Sequence, residues 1–149
     1  MTPRPLRIYI AASWTLKEDT HNIAKQLTAT EGFKITSKWF TKDLPNTQEY
    51  WVQEARADFR EIRGSDVLVL WDEEPSTSGG MHVEFGIALA DGLDIIVVGP
   101  RQTTNPFHYL PRVKRVNTWG EVAVLLNKIA SRKTSGGTTV CAMRVVERK

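Results

Sequence analysis

The sequence predicts a three-layer α/β/α fold, with a five-stranded and mostly parallel sheet in a single domain. Short apolar runs rich in β-branched residues recur along the chain, as buried parallel strands require. Segments whose apolar residues have helical spacing lie between them. Strands that alternate with helices form parallel sheets through right-handed crossovers. A chain of 149 residues is long enough for one such domain with a substantial core.

Five predicted strands and four predicted helices divide the chain. The strands cover residues 6–12, 33–40, 66–71, 95–98 and 113–116. The helices cover residues 16–30 and 47–63, the stretch 78–90 after its opening loop, and residues 119–131. We therefore expect a domain at residues 1–132 and a tail at residues 133–149. A linker lies at 135–137, and the β-forming run at 138–146 fits an edge strand, a contact with a partner or a loose end.

Local signals place the early elements. Small residues at 12–15 turn the chain from the first strand into a helix, where Ser13 is either a cap or a ligand contact. Gly32 ends this helix, because glycine readily adopts the left-handed conformation found at helix ends. Residues 33–40 alternate between polar and apolar side chains, which predicts the second strand.

A carboxylate interrupts the apolar stripe of the second predicted helix. At helical spacing this stripe contains Trp51, Ala55, Asp58 and Ile62, and we expect it to face the core. Asp58 then either pairs with an arginine or a backbone donor, or faces a functional site. The stripe alone leaves both interpretations open.

The stretch 78–90 begins with Ser78 and two glycines and continues as a helix that is apolar nearly all round, so we expect it to be buried. Glu84 lies in its first turns, where the helix dipole and backbone N–H groups favour an ionised carboxylate. Such a group suits a nucleophile, although most glutamates near helix starts are only favourable charges. The loop before it is rich in hydrogen-bond donors and follows a predicted strand, where ligands bind in folds of this class.

The predicted topology brings several candidates together. If the strand order is flavodoxin-like, as in a Rossmann-like sheet, the first and third strands flank one crevice. Ser13, Trp14, Ser78 and Glu84 then face that crevice, and Asp58 reaches it from the preceding helix. The loop at 99–111 contains Arg101 and His108. We expect both side chains to be exposed to solvent, and contact with a ligand or a partner subunit is the alternative.

Bulk composition restricts the partners. A net charge of +3 with scattered basic residues is compatible with a small anionic substrate and does not favour a nucleic acid polymer.

The single cysteine, Cys141, excludes an intrachain disulfide and a cysteine metal cluster. The three histidines are too far apart for ligand spacing, so no metal is expected. Nucleotide fingerprints with G-x-G-x-x-G or a phosphate-loop lysine are absent, and no cofactor is expected. Without a signal peptide or a membrane-spanning run, the expected location is cytoplasmic.

Three blocks, at residues 8–14, 57–67 and 78–88, carry a family resemblance. They read I-Y-I-A-A-S-W, A-D-F-R-E-I-R-G-S-D-V and S-G-G-M-H-V-E-F-G-I-A. Because it contains these three blocks in this order, the chain resembles the nucleoside 2-deoxyribosyltransferase superfamily, which includes the 2'-deoxynucleoside 5'-phosphate N-hydrolases. The resemblance spans roughly residues 6–120.

The resemblance implies a set of site residues. Glu84 matches the nucleophile that attacks C1' of the sugar. Asp58 matches the acid that assists departure of the base or positions the sugar, and Tyr9 matches a tyrosine that in some members hydrogen-bonds the nucleophile. The implied substrate-binding positions are Ala12, Ser13, Trp14, Ser78, Gly80 and Met81. Among these, Trp14 matches an aromatic residue near the base, and the two serines match hydroxyl donors near a phosphate. The family also implies a homodimer or higher homo-oligomer.

The two carboxylates, Glu84 and Asp58, are suited to cleavage of an N-glycosidic bond without reference to the family. Cleavage of an N-glycosidic bond passes through an oxocarbenium-like state, which a carboxylate near C1' stabilises or captures as an ester. A second carboxyl group, kept protonated by burial or by its neighbour, delivers a proton to the leaving base. Water then completes a hydrolase and a second base completes a transferase.

Departures from the family leave the substrate open. Family transferases acting on free nucleosides have an acidic residue where this chain has Ser78, and a hydroxyl suits a phosphate better. However, the opening turn lacks the glycine-rich sequence of the monophosphate hydrolases, and residues 72–74 are acidic. A 5'-monophosphate hydrolase is slightly favoured. The alternatives are a base-exchanging transferase, a non-catalytic nucleotide-binding module and an unrelated enzyme that cleaves the nicotinamide glycosidic bond.

Overall fold

The computed structural model describes residues 4–43, 45–73, 79–100 and 104–135. Its strands are β1 (Arg7–Ala12), β2 (Lys34–Ile35), β3 (Val67–Trp71), β4 (Asp94–Val98) and β5 (Val113–Val116). Its helices are α1 (Lys17–Glu31), α2 (Gln48–Arg63), α3 (Gly80–Ala90) and α4 (Trp119–Ser135). Short 3₁₀ turns lie at Trp14–Leu16, Trp39–Thr41 and Pro106–Tyr109.

The five strands form one parallel sheet in the order β2-β1-β3-β4-β5. On one face α3 packs against β1, β3 and β4, and α2 packs against α3. On the other face α1 packs against β1 and β2, and α4 against β4 and β5. A hydrogen bond from Asn127 Nδ2 to Glu31 Oε2 (3.0 Å) joins α4 to α1. The predicted three-layer α/β/α fold with a five-stranded parallel sheet is therefore confirmed.

The centre of the sheet is buried on both faces. In register, Ile10 of β1 lies beside Val69 of β3, which lies beside Ile96 of β4. All three are fully buried, as expected of a parallel sheet covered by helices on both sides. Among the described residues, no helix is both long and apolar enough to cross a membrane.

The second strand is much shorter than the predicted run at 33–40. Only Lys34 and Ile35 pair with β1, and the chain then enters a 3₁₀ turn. The reason is that side chains take over the hydrogen bonds of Ile10. Its N–H donates to Ser37 Oγ (3.0 Å), and its carbonyl accepts from Trp39 Nε1 (2.8 Å). A longer backbone ladder is therefore replaced by two side-chain contacts.

The α2 stripe predicted to face the core does so only at Asp58 and Ile62, and the prediction is wrong for Trp51 and Ala55. Trp51 is 48% exposed, and Val52 and Phe59 are similarly exposed. The residues that α2 buries are Glu54 and Ile62, with Asp58 partly buried between them. The physical reason is that α2 packs against α3 with its carboxylate-bearing side, and the three exposed apolar residues do not outweigh that arrangement.

Two further differences concern α3 and the C-terminal region. α3 is not buried all round: Met81, Phe85 and Ala88 face inward, whereas Val83 is 64% exposed. α4 runs through Ser135, beyond its predicted end at 131, so the first residue of the predicted linker is helical. The rest of that linker and the β-forming run at 138–146 lie outside the described residues.

Candidate active site

The predicted substrate-binding residues follow neighbouring strands. Ala12 ends β1 in register with Trp71, which ends β3. Ser13 and Trp14 continue from β1, and Gly80 and Met81 begin α3. Because carboxyl ends of parallel strands share one edge of the sheet, these positions lie at the edge where ligands bind in folds of this class. Ser78 lies outside the described residues.

Trp14 and Ser13 differ in their exposure. Ser13 is buried, and its Oγ lies 3.0 Å from Thr15 Oγ1, so it does not act as a side-chain cap. Trp14 is 46% exposed and packs on one side against Trp39, with 6.0 Å between ring centroids. Lys17 Nζ lies 4.7 Å from the centre of the Trp14 ring. The Trp14 ring is therefore held in place by Trp39, has the Lys17 ammonium group nearby, and is accessible to solvent over the rest of its surface.

Tyr9, Asp58 and Glu84 meet between β1, α2 and α3. Each contains a polar atom that is shielded from solvent and has no hydrogen-bond partner among the described residues: Tyr9 Oη, Asp58 Oδ1 and Glu84 Oε2. Their charges interact, since Asp58 raises the pKa of Glu84 and Glu84 raises the pKa of Tyr9. The structure thus brings together the three residues for which the sequence implied catalysis.

Burial dominates the ionisation of both carboxyl groups. Burial, followed by the charge of Asp58, raises the pKa of Glu84 to about 8, and the nearby Tyr9 hydroxyl opposes the rise. Burial, followed by the charges of Glu54 and Glu61, raises the pKa of Asp58 to about 7. Two neighbouring carboxyl groups of this kind titrate as a pair and retain a proton near neutral pH.

The expectation that the helix dipole keeps Glu84 ionised is wrong. Glu84 is the fifth residue of α3, and α3 has no acidic residue in its first turn. The field of a helix terminus falls off within that first turn. Loss of solvation at the buried carboxyl group therefore outweighs it.

Tyr9 remains a neutral donor. Burial, and then the negative charge of Glu84, raise its pKa well above the usual 10. Its hydroxyl faces both carboxyl groups and lowers the pKa of each, although within the described residues it makes no hydrogen bond of ordinary geometry. A phenol that keeps its proton can donate to whichever carboxylate is ionised.

Sequence reasoning missed Glu54, Glu61 and Lys42. Glu54 is buried on α2, and its Oε2 lies 3.3 Å from Lys42 Nζ. The available signal was spacing, because Glu54, Asp58 and Glu61 recur at i, i+4 and i+7 and therefore share one helix face. No group of three or more His, Cys, Asp or Glu side chains in the described ranges is arranged to hold a metal ion.

A second polar cluster lies on the other side of α3. His108, expected in a solvated loop, is instead only 1% exposed and packs against Phe85, with 4.8 Å between ring centroids. His108 Nδ1 lies 3.2 Å from Arg115 Nη1 and 4.0 Å from Asp72 Oδ2. Burial lowers the pKa of His108, the charge of Asp72 opposes this, and the charge of Arg115 adds to it. Arg101 lies outside the described residues.

Solved structures share this fold. The CMP N-glycosidase BcmB of Clostridium botulinum matches with a TM-score of 0.55 at 20% identity, over 83% of this chain and 98% of that one. A 2-deoxyribosyltransferase of Bacillus psychrosaccharolyticus matches with a TM-score of 0.63 at 15% identity, over 78% of this chain and 90% of that one. The chain has the fold of these two enzymes.

A third similar structure is a conserved protein of Enterococcus faecalis, with a TM-score of 0.58 at 14% identity over 84% of this chain and 99% of that one. No protein-family model and no curated protein sequence matches the chain. The likeness to known proteins therefore lies in the fold, and the fold expected from the three sequence blocks is confirmed.

Proposed function

We propose that the protein cleaves the N-glycosidic bond of a nucleoside or nucleotide, with Glu84 as nucleophile and Asp58 as proton donor. The observation that carries the proposal is the pair of shielded carboxyl groups on α2 and α3 that face Tyr9. Two carboxyl groups with different surroundings are the usual machinery for glycosidic cleavage. The shared fold with an N-glycosidase and a deoxyribosyltransferase supports this choice.

The first step breaks the bond between C1' and the base nitrogen. The electron pair of that bond stays with the base, which takes a proton from the Asp58 carboxyl group. Positive charge develops on the sugar, and the Glu84 carboxylate stabilises it and forms a bond to C1'. The Tyr9 hydroxyl donates a hydrogen bond to Glu84, which keeps the attacking oxygen in place.

The second step releases the sugar. Water attacks C1', Asp58 takes the proton of that water, and the bond between C1' and Glu84 breaks. Asp58 is then protonated and Glu84 ionised. This is the arrangement of the shared proton from which the reaction starts, although the higher pKa of Glu84 favours the other arrangement in the free protein. If a second base replaces water, the same sequence exchanges bases, and the similar 2-deoxyribosyltransferase makes this the alternative function.

Within this function we favour hydrolysis of a nucleoside 5'-monophosphate. The similar CMP N-glycosidase is named for a nucleotide substrate. The two described acidic residues after β3 lie against other groups: Asp72 lies near His108, and Glu73 Oε2 accepts a hydrogen bond from Trp71 Nε1 (2.8 Å). Ser13 and Ser78 are assigned to the phosphate, Trp14 to the base, and the backbone at Ala12, Gly80 and Met81 to the sugar and phosphate. The homo-oligomer remains a prediction from the family resemblance.

Base release measured by chromatography tests the proposal. The protein is incubated with the common nucleosides and their 5'-monophosphates, with and without a second free base. We expect free base from monophosphates in water alone, and a loss of about 10³-fold or more in Glu84→Gln, because the nucleophile is removed. Glu18→Gln, the same change on the exposed surface of α1, is the matched control and keeps full activity.

Each other outcome assigns a different function. Product formed only with an acceptor base identifies a transferase, and full activity in Glu84→Gln removes Glu84 as the nucleophile. Nucleotide binding without turnover, unaffected by Glu84→Gln, contradicts catalysis and identifies a binding module. If NAD is consumed and no other substrate releases base, the protein is an enzyme that cleaves the nicotinamide glycosidic bond.

A further inference from the structure

Glu54 is a buried carboxylate that the proposed reaction does not use. It lies one helical turn before Asp58 on the same face of α2, so the two carboxyl groups are neighbours. Its side chain is 9% exposed. Oε2 lies 3.3 Å from Lys42 Nζ, whereas Oε1 is shielded and has no hydrogen-bond partner among the described residues. Buried acidic side chains of this kind are rare unless they are fully paired.

The ion pair between Glu54 and Lys42 is asymmetric. The Lys42 side chain is partly exposed, so water screens its charge, while the Glu54 carboxyl group is enclosed by protein. A charge acts more strongly on a neighbour when the medium between them has a low dielectric constant. The negative charge of Glu54 therefore reaches Asp58 with less screening than the positive charge of Lys42.

We propose that Glu54 is a positioning residue that keeps a proton on Asp58, with Lys42 as the opposing charge that limits this effect. The inference rests on the proposed function, in which Asp58 must be protonated to release the base. In the proposed reaction Glu54 does not contact the reacting atoms. It acts through Asp58, because a second negative charge one turn away makes ionisation of Asp58 unfavourable.

The other charged groups around Asp58 do not replace Glu54. They are Glu61 on α2, Tyr9 on β1, Glu84 on α3, and Lys38 and Lys42 in the segment between β2 and α2. Glu61 already accepts the backbone N–H of Lys38 at 2.9 Å. Of the neighbouring charges, that of Glu54 raises the pKa of Asp58 most, and that of Lys42 lowers it.

Two substitutions with opposite expected signs test the proposal. Glu54→Gln keeps the shape and removes the negative charge, so the titration midpoint of Asp58 falls by about one pH unit. Lys42→Met keeps the aliphatic stem and removes the positive charge, so the midpoint rises by a smaller amount. Glu49→Gln, on the exposed first turn of α2, is the matched control and leaves the midpoint unchanged.

Carboxyl ¹³C NMR of the full chain reads the Asp58 midpoint directly, with the signal assigned by its loss in Asp58→Asn. The alkaline limb of the kcat/KM profile is measured in parallel and moves in the same direction as the midpoint in each variant. The inference is overturned if the Asp58 midpoint shifts in the same direction in Glu54→Gln and Lys42→Met, or if it shifts in neither variant. If Glu54→Gln does not fold, a Lys42→Met midpoint that fails to rise overturns it.

The two readouts separate this inference from the proposed function. Opposite midpoint shifts without base release from any substrate support the control of Asp58 by Glu54 and reject the enzyme. Base release that depends on Glu84, combined with an Asp58 midpoint that Glu54→Gln leaves unchanged, supports the enzyme and rejects the control by Glu54.

Discussion

The two polar clusters on either side of α3 are buried alike but differ in how their charges match. On one side Glu84 faces Asp58 and Tyr9, and the two acidic groups repel each other. On the other side His108 contacts Arg115 and lies near Asp72, so complementary groups meet. Neighbouring groups of like charge are typical of functional sites, whereas groups of complementary charge stabilise the fold. Polar atoms without a hydrogen-bond partner among the described residues occur on both sides, since His108 Nε2 and Asp72 Oδ2 also lack one. Under the proposed function, α3 therefore separates a reactive cluster around Glu84 from a structural one around His108.

The two clusters respond to pH in opposite directions. The raised pKa values of Glu84 and Asp58 mean that the folded state keeps protons that the unfolded chain releases. Their contribution to stability is complete below pH of about 4 and is lost as the pH rises to about 8. The lowered pKa of His108 means that the unfolded chain takes up a proton first, so stability is lost as the pH falls below 6.5.

The largest expected effect on stability comes from the structural side. Phe85 is buried against His108, so Phe85→Ala removes packing and lowers the free energy of unfolding by about 3–5 kcal/mol. Urea unfolding measures this change. Val83→Ala, at an exposed position of the same helix, should stay within about 0.5 kcal/mol. Equal effects of the two substitutions would contradict the division of α3 into a packed face and an exposed face.

The reactive side should show a gain in stability when its charge is removed. Glu84→Gln eliminates a carboxyl group whose pKa is raised from 4.5 to about 8, so at pH 9 we expect the free energy of unfolding to rise by about 2–4 kcal/mol. At pH 4 the variant and the original protein should be nearly equal. Urea unfolding at both pH values measures the difference, and a variant less stable at pH 9 would show that Glu84 is structural.

The smallest expected effect is confined to acid. His108→Gln keeps an acceptor for Arg115 but cannot take up a proton, so the loss of stability below pH 6.5 becomes shallower. Base release at pH 7.5 should change by less than about threefold, because the residue lies outside the reactive cluster. Thermal unfolding across pH 5–7 measures the first effect. If the His108→Gln variant is stable but loses most of its turnover, His108 belongs to the active site and the two clusters are not functionally separate.

The order of elements could be predicted from local periodicity. The proximity of Asp58 and Glu84 could be predicted from the topology that this order implies, together with the family resemblance. The face that α2 buries could not. Trp51, Val52 and Phe59 outnumber Ile62, and only the packing of α2 on α3 determines which side turns inward. Glu54 was missed for the same reason.

Ionisation was predicted in the wrong direction for a related reason. The sequence shows that Glu84 is near a helix start, and this favours the charged form. It does not show how much solvent the folded chain removes from the carboxyl group, and that loss dominates. The length of β2 also escaped prediction, because Ser37 and Trp39 reach Ile10 through side chains that a strand pattern does not reveal.

The interior position of β1, between β2 and β3, has a consequence for the timing of synthesis. β1 pairs with β3, and the contact between Arg7 and Asp66 at the start of these strands joins residues 59 positions apart. At about 5–20 residues per second, the ribosome adds the matching part of β3 about 3–12 s after β1. During that interval an apolar strand has one edge without its neighbour, and such an edge can pair with another nascent chain. We therefore expect the rate of translation to influence how many copies reach the folded sheet.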